Sequence, residues 1–166
     1  MASQSSLLAS KVALVTGGSG TIGQAIAKSL LSQGASVILT ARRLEKLEEV
    51  QEVLRRELPG KESQVHVITS DVSKEETVVE LFEKIDKLDG GKGLDLLVNN
   101  AGIMALQTRC ESKQGYEKHL AVNHFGHFLL TKLLMKKLMV PEQSRIVNVS
   151  SLAHKNQKLD LTDLHL

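Results

Sequence analysis

The chain has 166 residues, of which 42% are hydrophobic, and its formal net charge is +2 at pH 7. This length predicts about one domain, and the apolar content excludes an intrinsically disordered chain. Charges of both signs are mixed along the sequence, so no basic patch indicates a nucleic-acid partner. Because Cys110 is the only cysteine, an intramolecular disulfide is excluded, which suits a reducing compartment.

The N-terminal segment, residues 1–10, is mostly polar. It is too short and too polar for a signal peptide or a membrane anchor. We therefore expect a flexible N-terminus of ten residues and no membrane anchor in this chain, in an intracellular, soluble and cytoplasmic protein. Residues 11–166 would form the domain.

The first apolar run leads into a glycine-rich turn that contains Gly18-x-Gly20-x-x-Gly23, and the turn opens into a helical pattern at residues 24–33. Glycines permit a tight turn and let a ligand approach the backbone closely. The free N–H groups and the dipole at a helix N-terminus favour an anion. The order of strand, turn and helix thus favours a nucleotide pyrophosphate, although a plain turn can have the same spacing.

Strand patterns then alternate with helical patterns to the end of the chain. Strands alternating with helices of this length predict a doubly wound α/β fold, a parallel sheet in the order 3-2-1-4-5 with helices on both faces. The last strand would lie at an open edge of the sheet. Ser73 and Glu76 have the spacing of a capping box, which predicts Ser73 as a helix N-cap. The predicted later strands are 37–39, 64–70, 94–98 and 145–149, and the predicted later helices are 43–58, one following Ser73, and 116–139.

Polar clusters stand at the carboxyl end of every predicted strand. Ligands of doubly wound sheets bind beyond these ends, at the switch point between strands 1 and 4. Ordinary polar turns explain one or two such clusters but not this particular set. The clusters are Thr16-Gly17, Thr40-Ala41-Arg42, Ser70-Asp71, Asn99-Asn100 and Ser150-Ser151.

Several of these motifs together resemble the short-chain dehydrogenase/reductase family, and within it the retinol-dehydrogenase-like branch. The resemblance runs from about Lys11 to the last residue, with the motifs in the family's order. The motifs are residues 16–23, Asp71-Val72, Asn99-Asn100-Ala101-Gly102, the helix segment 121–131 with Asn123, and the run 145–154.

The resemblance implies a nicotinamide dinucleotide cofactor. The turn would hold the pyrophosphate through backbone N–H groups, and Asp71 and Val72 would contact the adenine. Helix capping by Asp71 and turn formation by Asn100 are the structural alternatives. Thr21 stands where the family pattern has its middle glycine, with Gly20 one place early. The implied cofactor-binding residues are Gly17, Ser19, Gly20, Thr21, Ile22, Gly23, Asp71, Val72, Asn99, Ala101 and Gly102.

The end of the second strand predicts a preference for NADP(H) over NAD(H). NAD-dependent enzymes usually place a carboxylate there for the ribose 2′-hydroxyl. This chain has Ala41 followed by Arg42 and Arg43, and a guanidinium can hold a 2′-phosphate in a charge-assisted contact. Alternatively, both arginines are solvated residues at a helix start.

The resemblance also implies that Ser151 hydrogen-bonds a substrate carbonyl and that Asn123 orders a proton-relay water. The family's Tyr-x-x-x-Lys has no counterpart, because residues 152–166 contain no tyrosine and Tyr116, the only one, precedes Asn123. We therefore expect an incomplete fold. Two hypotheses remain: an oxidoreductase of alcohols and aldehydes or ketones, including retinoid or lipid aldehydes, or a truncated, inactive nucleotide-binding or interaction protein.

Two further possibilities concern the helix predicted over residues 116–139. His124 and His127 lie three residues apart, but no third ligand is near in the sequence, so we expect no metal site. The helix would have one unpacked face if the sheet ends at the fifth strand. A homodimer through this helix is therefore possible.

Overall fold

A computed structural model describes residues 6–156 of the chain. Its five parallel strands lie in the order β3-β2-β1-β4-β5, with helices between them, which confirms the predicted doubly wound α/β fold. The strands are β1 Val12–Thr16, β2 Ser36–Ala41, β3 Val65–Thr69, β4 Leu96–Asn99 and β5 Arg145–Asn148. The helices are α1 Thr21–Ser32, α2 Leu44–Glu57, α3 Glu75–Asp89, α4 Lys118–Leu120 and α5 Gly126–Leu138.

The sheet has a hydrophobic core on each face, because successive residues of a strand point to opposite sides. Ala13 and Val15 of β1 pack with α1 and α2, whereas Leu14 between them packs with α3 and α5. All three are fully buried. Strands covered on both faces have continuous apolar runs, as this sequence does.

The register brings the carboxyl ends of the strands to one edge. Thr16 of β1 lies beside Thr40 of β2, and Asn99 of β4 lies beside Asn148 of β5. β1 pairs with β2 on one side and with β4 on the other. Successive strands are therefore added to one side of β1 as far as β3, and to its other side from β4 onward. The loops after β1 and β4 therefore form a crevice at the switch point.

The predicted capping box at the start of α3 is wrong. The helix begins one residue after Lys74, which is the N-cap and makes no side-chain cap hydrogen bond. The Ser73 hydroxyl instead donates to Oδ1 of Asp71 at 2.7 Å. Oδ1 of Asp71 also accepts from the backbone N–H of Ser73, and the turn formed by these two hydrogen bonds leaves Lys74 rather than Ser73 at the cap position.

The helix predicted over residues 116–139 begins at Lys118 and contains a π-helical turn between α4 and α5, Ala121–Phe125. Glu117 precedes it, and its carboxylate accepts from the backbone N–H of Leu120 at 2.8 Å. Such wide turns cannot be seen in a hydrophobic pattern and often occur at functional sites.

Among residues 6–156, β5 lies at the edge of the sheet, where the sequence predicts the last strand. It pairs with β4 and is last in the strand order. Ile146 and Val147 are 41% and 45% exposed. Within the described residues, β5 pairs with a strand on one side only, so apolar side chains and backbone groups of β5 lie at this edge of the sheet.

The N-terminal residues that the structure describes lie against the end of α1. The backbone N–H of Leu8 donates to the carbonyl of Gln33 at 2.9 Å, and Leu8 packs on the core between the sheet and α1. The flexibility predicted for residues 1–10 stays a prediction, and residues 1–5 lie outside the described part. Within residues 6–156, no helix is both long enough and apolar enough to span a membrane.

Candidate functional site

A cavity of about 640 Å³ lies at the carboxyl edge of the sheet. Its volume is within the usual range for small-molecule sites. Twelve of the fifteen predicted site residues line it, and the loops that carry them follow β1, β2, β3 and β4. These residues are Gly17, Ser19, Gly20, Thr21, Ile22, Gly23, Arg42, Arg43, Asp71, Val72, Ala101 and Gly102.

Close packing requires glycine at three positions of the turn after β1. Gly17 has φ +65°, and a Cβ there would lie 2.9 Å from Cα of Ala101. A Cβ on Gly23 would lie 2.5 Å from the carbonyl oxygen of Gly17, closer than real contacts allow. At Gly20 the nearest such atom is 3.4 Å away. A Cβ on Gly18 would also lie only 2.8 Å from Cβ of Leu39. The tight turn therefore depends on Gly17, Gly18 and Gly23 rather than on Gly20.

The N-terminus of α1 points its backbone donors into this cavity. Gly20 is the N-cap and makes no side-chain cap hydrogen bond, and the first turn has no acidic residue. The N–H groups of Thr21, Ile22 and Gly23 have no partner within the helix by its geometry. These lining residues thus provide uncapped donors and the positive end of a helix dipole.

Charged groups from β2 and β3 lie at another part of the cavity wall. Arg42 and Arg43 follow β2, and both are exposed. Burial acts to raise the pKa of Asp71, but hydrogen bonds from Ser73 and the charges of Arg42 and Lys74 hold the pKa below its usual value. Asp71 is therefore a stable anion within the electrostatic influence of the Arg42 guanidinium.

Asp71 also forms a turn ahead of α3. Its Oδ1 accepts from the Ser73 backbone N–H at 3.1 Å and from the Ser73 hydroxyl. Its backbone carbonyl accepts from the Thr77 hydroxyl at 2.6 Å. The carboxylate is thus held in place as a structural group, although Asp71 is not the N-cap that the sequence allowed as an alternative.

Thr16 and Asn100 join the loops after β1 and β4. The Thr16 hydroxyl accepts from the backbone N–H groups of Asn100 at 3.0 Å and Ala101 at 2.9 Å. Nδ2 of Asn100 donates to the Thr16 carbonyl at 2.8 Å. The sequence alone indicated only a turn-forming role for Asn100. The one signal in the sequence for its contact with Thr16 is that both residues stand at the carboxyl ends of neighbouring strands.

Two side chains of the long helix hold the loop after β4 from its other side. Oδ1 of Asn123 accepts from the backbone N–H of Ile103, and Nδ2 of Asn123 donates to the carbonyl of Ile103, both at 2.9 Å. Nε2 of His127 lies 2.6 Å from the carbonyl oxygen of Ala101. Asn123 is itself absent from the cavity lining. Sequence reasoning considered His127 only as a possible metal ligand and so missed this contact.

Asn99 does not line the cavity, although the resemblance implies that it contacts the cofactor. Its side chain is fully buried and donates to Oγ1 of Thr131 at 3.0 Å and to Oδ1 of Asn148 at 2.8 Å. The alternation of a strand turns this side chain into the sheet's interior. Asn99 therefore ties β4 to α5 and β5.

Ser151 follows β5 and is exposed, and it is not among the residues that line the cavity. Its carbonyl accepts from the backbone N–H of His154 at 3.3 Å. Tyr116 is also absent from the lining, and its ring packs edge-on against Phe125 with centroids 4.9 Å apart. The proton-transfer groups that the resemblance implies are therefore not assembled around the cavity by the described residues.

Within residues 6–156, no three His, Cys, Asp or Glu side chains are placed to hold a metal ion together. The Nε2 atom of His127 faces a carbonyl oxygen, which must accept a hydrogen bond from it. That nitrogen therefore carries its proton and has no lone pair for a metal.

Three curated proteins show what the whole chain is similar to. Human retinol dehydrogenase 12 is 40% identical over 157 residues, which are 95% of this chain and 48% of that protein. Mouse retinol dehydrogenase 11 is 43% identical, over 89% of this chain and 45% of that protein. Oxidoreductase fscI of Fusarium equiseti is 35% identical, over 95% of this chain and 62% of that protein. The chain spans about half the length of the two retinol dehydrogenases.

Solved structures with the same fold bind either cofactor. A metagenomic short-chain oxidoreductase in complex with NADP has a TM-score of 0.76 and 33% identity, over 91% of this chain and 66% of that one. A xylitol dehydrogenase bound to NAD⁺ has a TM-score of 0.74 and 28% identity, over 95% of this chain and 59% of that one. The fold therefore does not select between the two cofactors.

The sequence profile described as short chain dehydrogenase matches residues 11–161, which is most of the chain. The match includes the glycine turn, the loops around the cavity and the helix with Asn123. It agrees with the strand order and with the similarity to retinol dehydrogenases. The chain belongs to the short-chain dehydrogenase family.

Proposed function

We propose that this chain binds NADP(H) in the cavity at the carboxyl edge of the sheet and belongs to an oxidoreductase of alcohols and carbonyl compounds. The observation that carries the proposal is one continuous cavity lined both by the uncapped N-terminus of α1 and by two arginines after β2. When bound, the nicotinamide would supply or accept a hydride.

The donors around the glycine turn suit a pyrophosphate. Backbone N–H groups of the first turn of α1, from Thr21 to Gly23, would bind its oxygens. The hydroxyl-bearing residues Ser19 and Thr21 line the same wall. Gly17 and Gly23 keep this wall compact because neither position has space for a Cβ. The chemistry of this donor set therefore fits the group.

Arg42 and Arg43 support a preference for a 2′-phosphate. A guanidinium forms charge-assisted, bidentate contacts with phosphate, whereas a carboxylate there would repel it. Asp71, also in this wall, would accept from the adenine amino group, and Val72 would pack on the ring. Each charge-assisted hydrogen bond contributes about 1.5–3 kcal/mol, or roughly one to two decades in affinity.

The cofactor preference is tested by titrating NADPH and NADH into the wild-type chain and into the double variant Arg42→Asp/Arg43→Ala. We expect the ratio of the two dissociation constants to reverse, by roughly one to two decades. Arg56→Ala is the matched control, because Arg56 is exposed at the other end of α2. An unchanged ratio in the double variant would remove the NADP(H) assignment.

The substrate end of the cavity has an apolar character. Ile103 lines it, and the neighbouring Met104 and Leu106 are exposed. The similar curated proteins include retinol dehydrogenases, named for an apolar alcohol. We propose a retinoid or lipid-like alcohol and its aldehyde or ketone as the substrate pair. Ser151 would donate to the carbonyl oxygen, and Asn123 would order a proton-relay water.

The second candidate function is nucleotide binding without catalysis. Its support is that Ser151 and Tyr116, the only tyrosine of the sequence, are both outside the cavity lining. A homodimer would fit this candidate, because Phe128 and Met135 of α5 are 67% and 40% exposed. Sedimentation of the purified chain would reveal such a dimer.

Turnover separates the two candidates. The 166-residue chain is mixed with NADPH and a panel of retinoid and lipid aldehydes, and NADPH oxidation is recorded. Turnover that disappears in Ser151→Ala, with NADPH affinity unchanged, would support the oxidoreductase. NADPH binding without turnover in the wild-type chain would favour the second candidate.

A further inference from the structure

The contact between His127 and Ala101 joins α5 to the loop that lines the cavity after β4. His127 is the second residue of α5 and only 7% exposed. Its Nε2 lies 2.6 Å from the Ala101 carbonyl oxygen. Because a carbonyl oxygen only accepts, the imidazole donates from Nε2. Burial lowers the pKa of His127, partly opposed by this hydrogen bond, and the nearby His124 lowers the pKa further.

This hydrogen bond completes a set that fixes the loop on both sides. On the β1 side, the hydroxyl of Thr16 accepts from the backbone N–H of Ala101 at 2.9 Å. On the helix side, Asn123 makes two hydrogen bonds to the backbone of Ile103. The carbonyl of Ala101 is held by His127. The backbone groups of Ala101 and Ile103 are therefore held by side chains of β1 and of the long helix.

The loop after β4 has little space to move toward the glycine turn. A Cβ at Gly17 would lie only 2.9 Å from Cα of Ala101, which shows how closely the loop packs on the glycine turn. Without His127, the carbonyl of Ala101 would lose its partner. This acceptor is part-buried at the cavity wall, and a carbonyl that loses its partner there favours a change in the loop that recovers a hydrogen bond. Its neighbours Gly102 and Ile103 line the cavity and would move with it.

We propose that His127 is a positioning residue that fixes Ala101–Ile103 for the nicotinamide half of the cofactor. This inference rests on the proposed function. If Arg42 and Arg43 hold the 2′-phosphate and α1 holds the pyrophosphate, the other half of the dinucleotide must extend toward the remaining wall. That wall contains Ile103 and Val122.

The test compares a whole cofactor with a fragment that lacks the nicotinamide half. NADPH and adenosine 2′,5′-bisphosphate are titrated calorimetrically into the wild type, His127→Leu and His127→Gln. We expect His127→Leu to weaken NADPH binding roughly tenfold, the effect of about one lost hydrogen bond. The fragment should lose less than about twofold. His127→Gln, which restores an amide donor, should recover most of the loss.

The matched control is His124→Leu, the same substitution at an exposed position three residues earlier. It should leave both affinities unchanged. Amide hydrogen exchange without ligand is the second measurement, and exchange at Ala101 and Ile103 should accelerate in His127→Leu but not in the control. This measurement detects loop positioning independently of the cofactor.

The titrations distinguish failure of the inference from failure of the proposed function. Equal losses for NADPH and the fragment in His127→Leu, or no loss for either, would overturn the inference while the proposed function stands. The inference also fails if His127→Gln behaves like His127→Leu, because packing rather than the hydrogen bond would then be responsible. If the wild type binds neither ligand, the proposed function is wrong, and the inference that rests on it is wrong as well.

Discussion

The region around the glycine turn, residues 12–43, is closed and packed, whereas the β5 region, residues 145–152, is open. Leu14 and Leu39 in the first region are fully buried. Ile146 of β5 is 41% exposed, and Leu152 after it is 76% exposed. Both regions end at the same edge of the sheet, so the difference comes from the elements that cover them.

This difference separates binding from catalysis in physical terms. The donors proposed for the cofactor belong to the closed region, where packing fixes the backbone. Ser151, proposed to contact the substrate, belongs to the open region. A catalytic side chain needs support from neighbouring residues to hold its geometry. We therefore expect cofactor affinity and turnover to respond to different substitutions.

The largest expected effect comes from breaking the closed region at Gly23. In Gly23→Ala, the new Cβ would lie 2.5 Å from the Gly17 carbonyl oxygen and 3.0 Å from Cα of Gly18. Both neighbours are backbone atoms, so the turn must open. We expect a loss of about 4 kcal/mol or more in the free energy of unfolding, measured by urea titration.

Gly20→Ala is the control for this substitution. The Cβ of residue 20 has space, since its nearest neighbour is 3.4 Å away. Alanine is a poorer N-cap than glycine, so a cost of about 1 kcal/mol is expected. Equal costs for Gly20→Ala and Gly23→Ala would show that close packing does not set the turn.

The next prediction compares two residues that lie side by side on neighbouring strands of the sheet. Leu97 of β4 is aligned with Ile146 of β5, but Leu97 is fully buried. Leu97→Ala should lower the free energy of unfolding by about 3 kcal/mol because it leaves a cavity. Ile146→Ala should cost less than about 1 kcal/mol, since much of that side chain is already in water.

Urea titrations of the two variants at several protein concentrations decide whether β5 is open in solution. A cost for Ile146→Ala as large as that for Leu97→Ala would mean that something covers the edge. If that cost also grew with protein concentration, a second copy of the chain would be the cover. The contrast between the two regions would then hold only for the monomer.

The strand order and the cavity could be predicted because they depend on local, repeated signals. The fully apolar runs at β1 and β2 indicate strands buried on both faces. Polar residues such as Asp71 and Arg42 then follow at strand ends, which the parallel topology brings to one edge. Twelve predicted residues line the cavity for this reason.

Side-chain direction and competition for hydrogen bonds could not be predicted in this way. Asn99 belongs to a motif at the right strand end, yet the strand turns its amide toward Thr131. Ser73 has the spacing of an N-cap but donates to Asp71. His127 meets Ala101 across 26 positions of sequence. Each outcome depends on contacts between segments that no local pattern contains.

The smallest expected effect concerns two histidines on opposite sides of the sheet's centre, His66 on β3 and His127 on α5. Burial lowers the pKa of His66, and the charge of Arg55 lowers it further. Burial likewise lowers the pKa of His127. Both imidazoles therefore bind a proton less readily in the folded chain than in the unfolded chain.

The sign of the pH dependence follows from this difference. The unfolded chain binds more protons once the pH falls below the ordinary histidine pKa of about 6.5, so acid destabilises the fold there. The contribution of each histidine is complete above this pKa and is lost as the pH falls toward the lower folded-state pKa. The pKa of Asp71 is also lowered, so its contribution to stability is present near neutral pH and is lost only below the ordinary carboxyl pKa of about 4, outside the range in which the histidines titrate.

Melting temperatures at about pH 7.5 and about pH 5 would test this for the wild type, His66→Gln, His127→Gln and the double variant. Each single variant should lose less Tm on acidification than the wild type, and the double variant should lose least. A fall in Tm as large in the double variant as in the wild type would assign the acid sensitivity to other groups. If His127→Gln reduces the fall in Tm as much as His66→Gln does, the environment of His127 on α5 excludes water as well as that of His66 on β3. The exposed part of this side of the molecule would then be confined to β5.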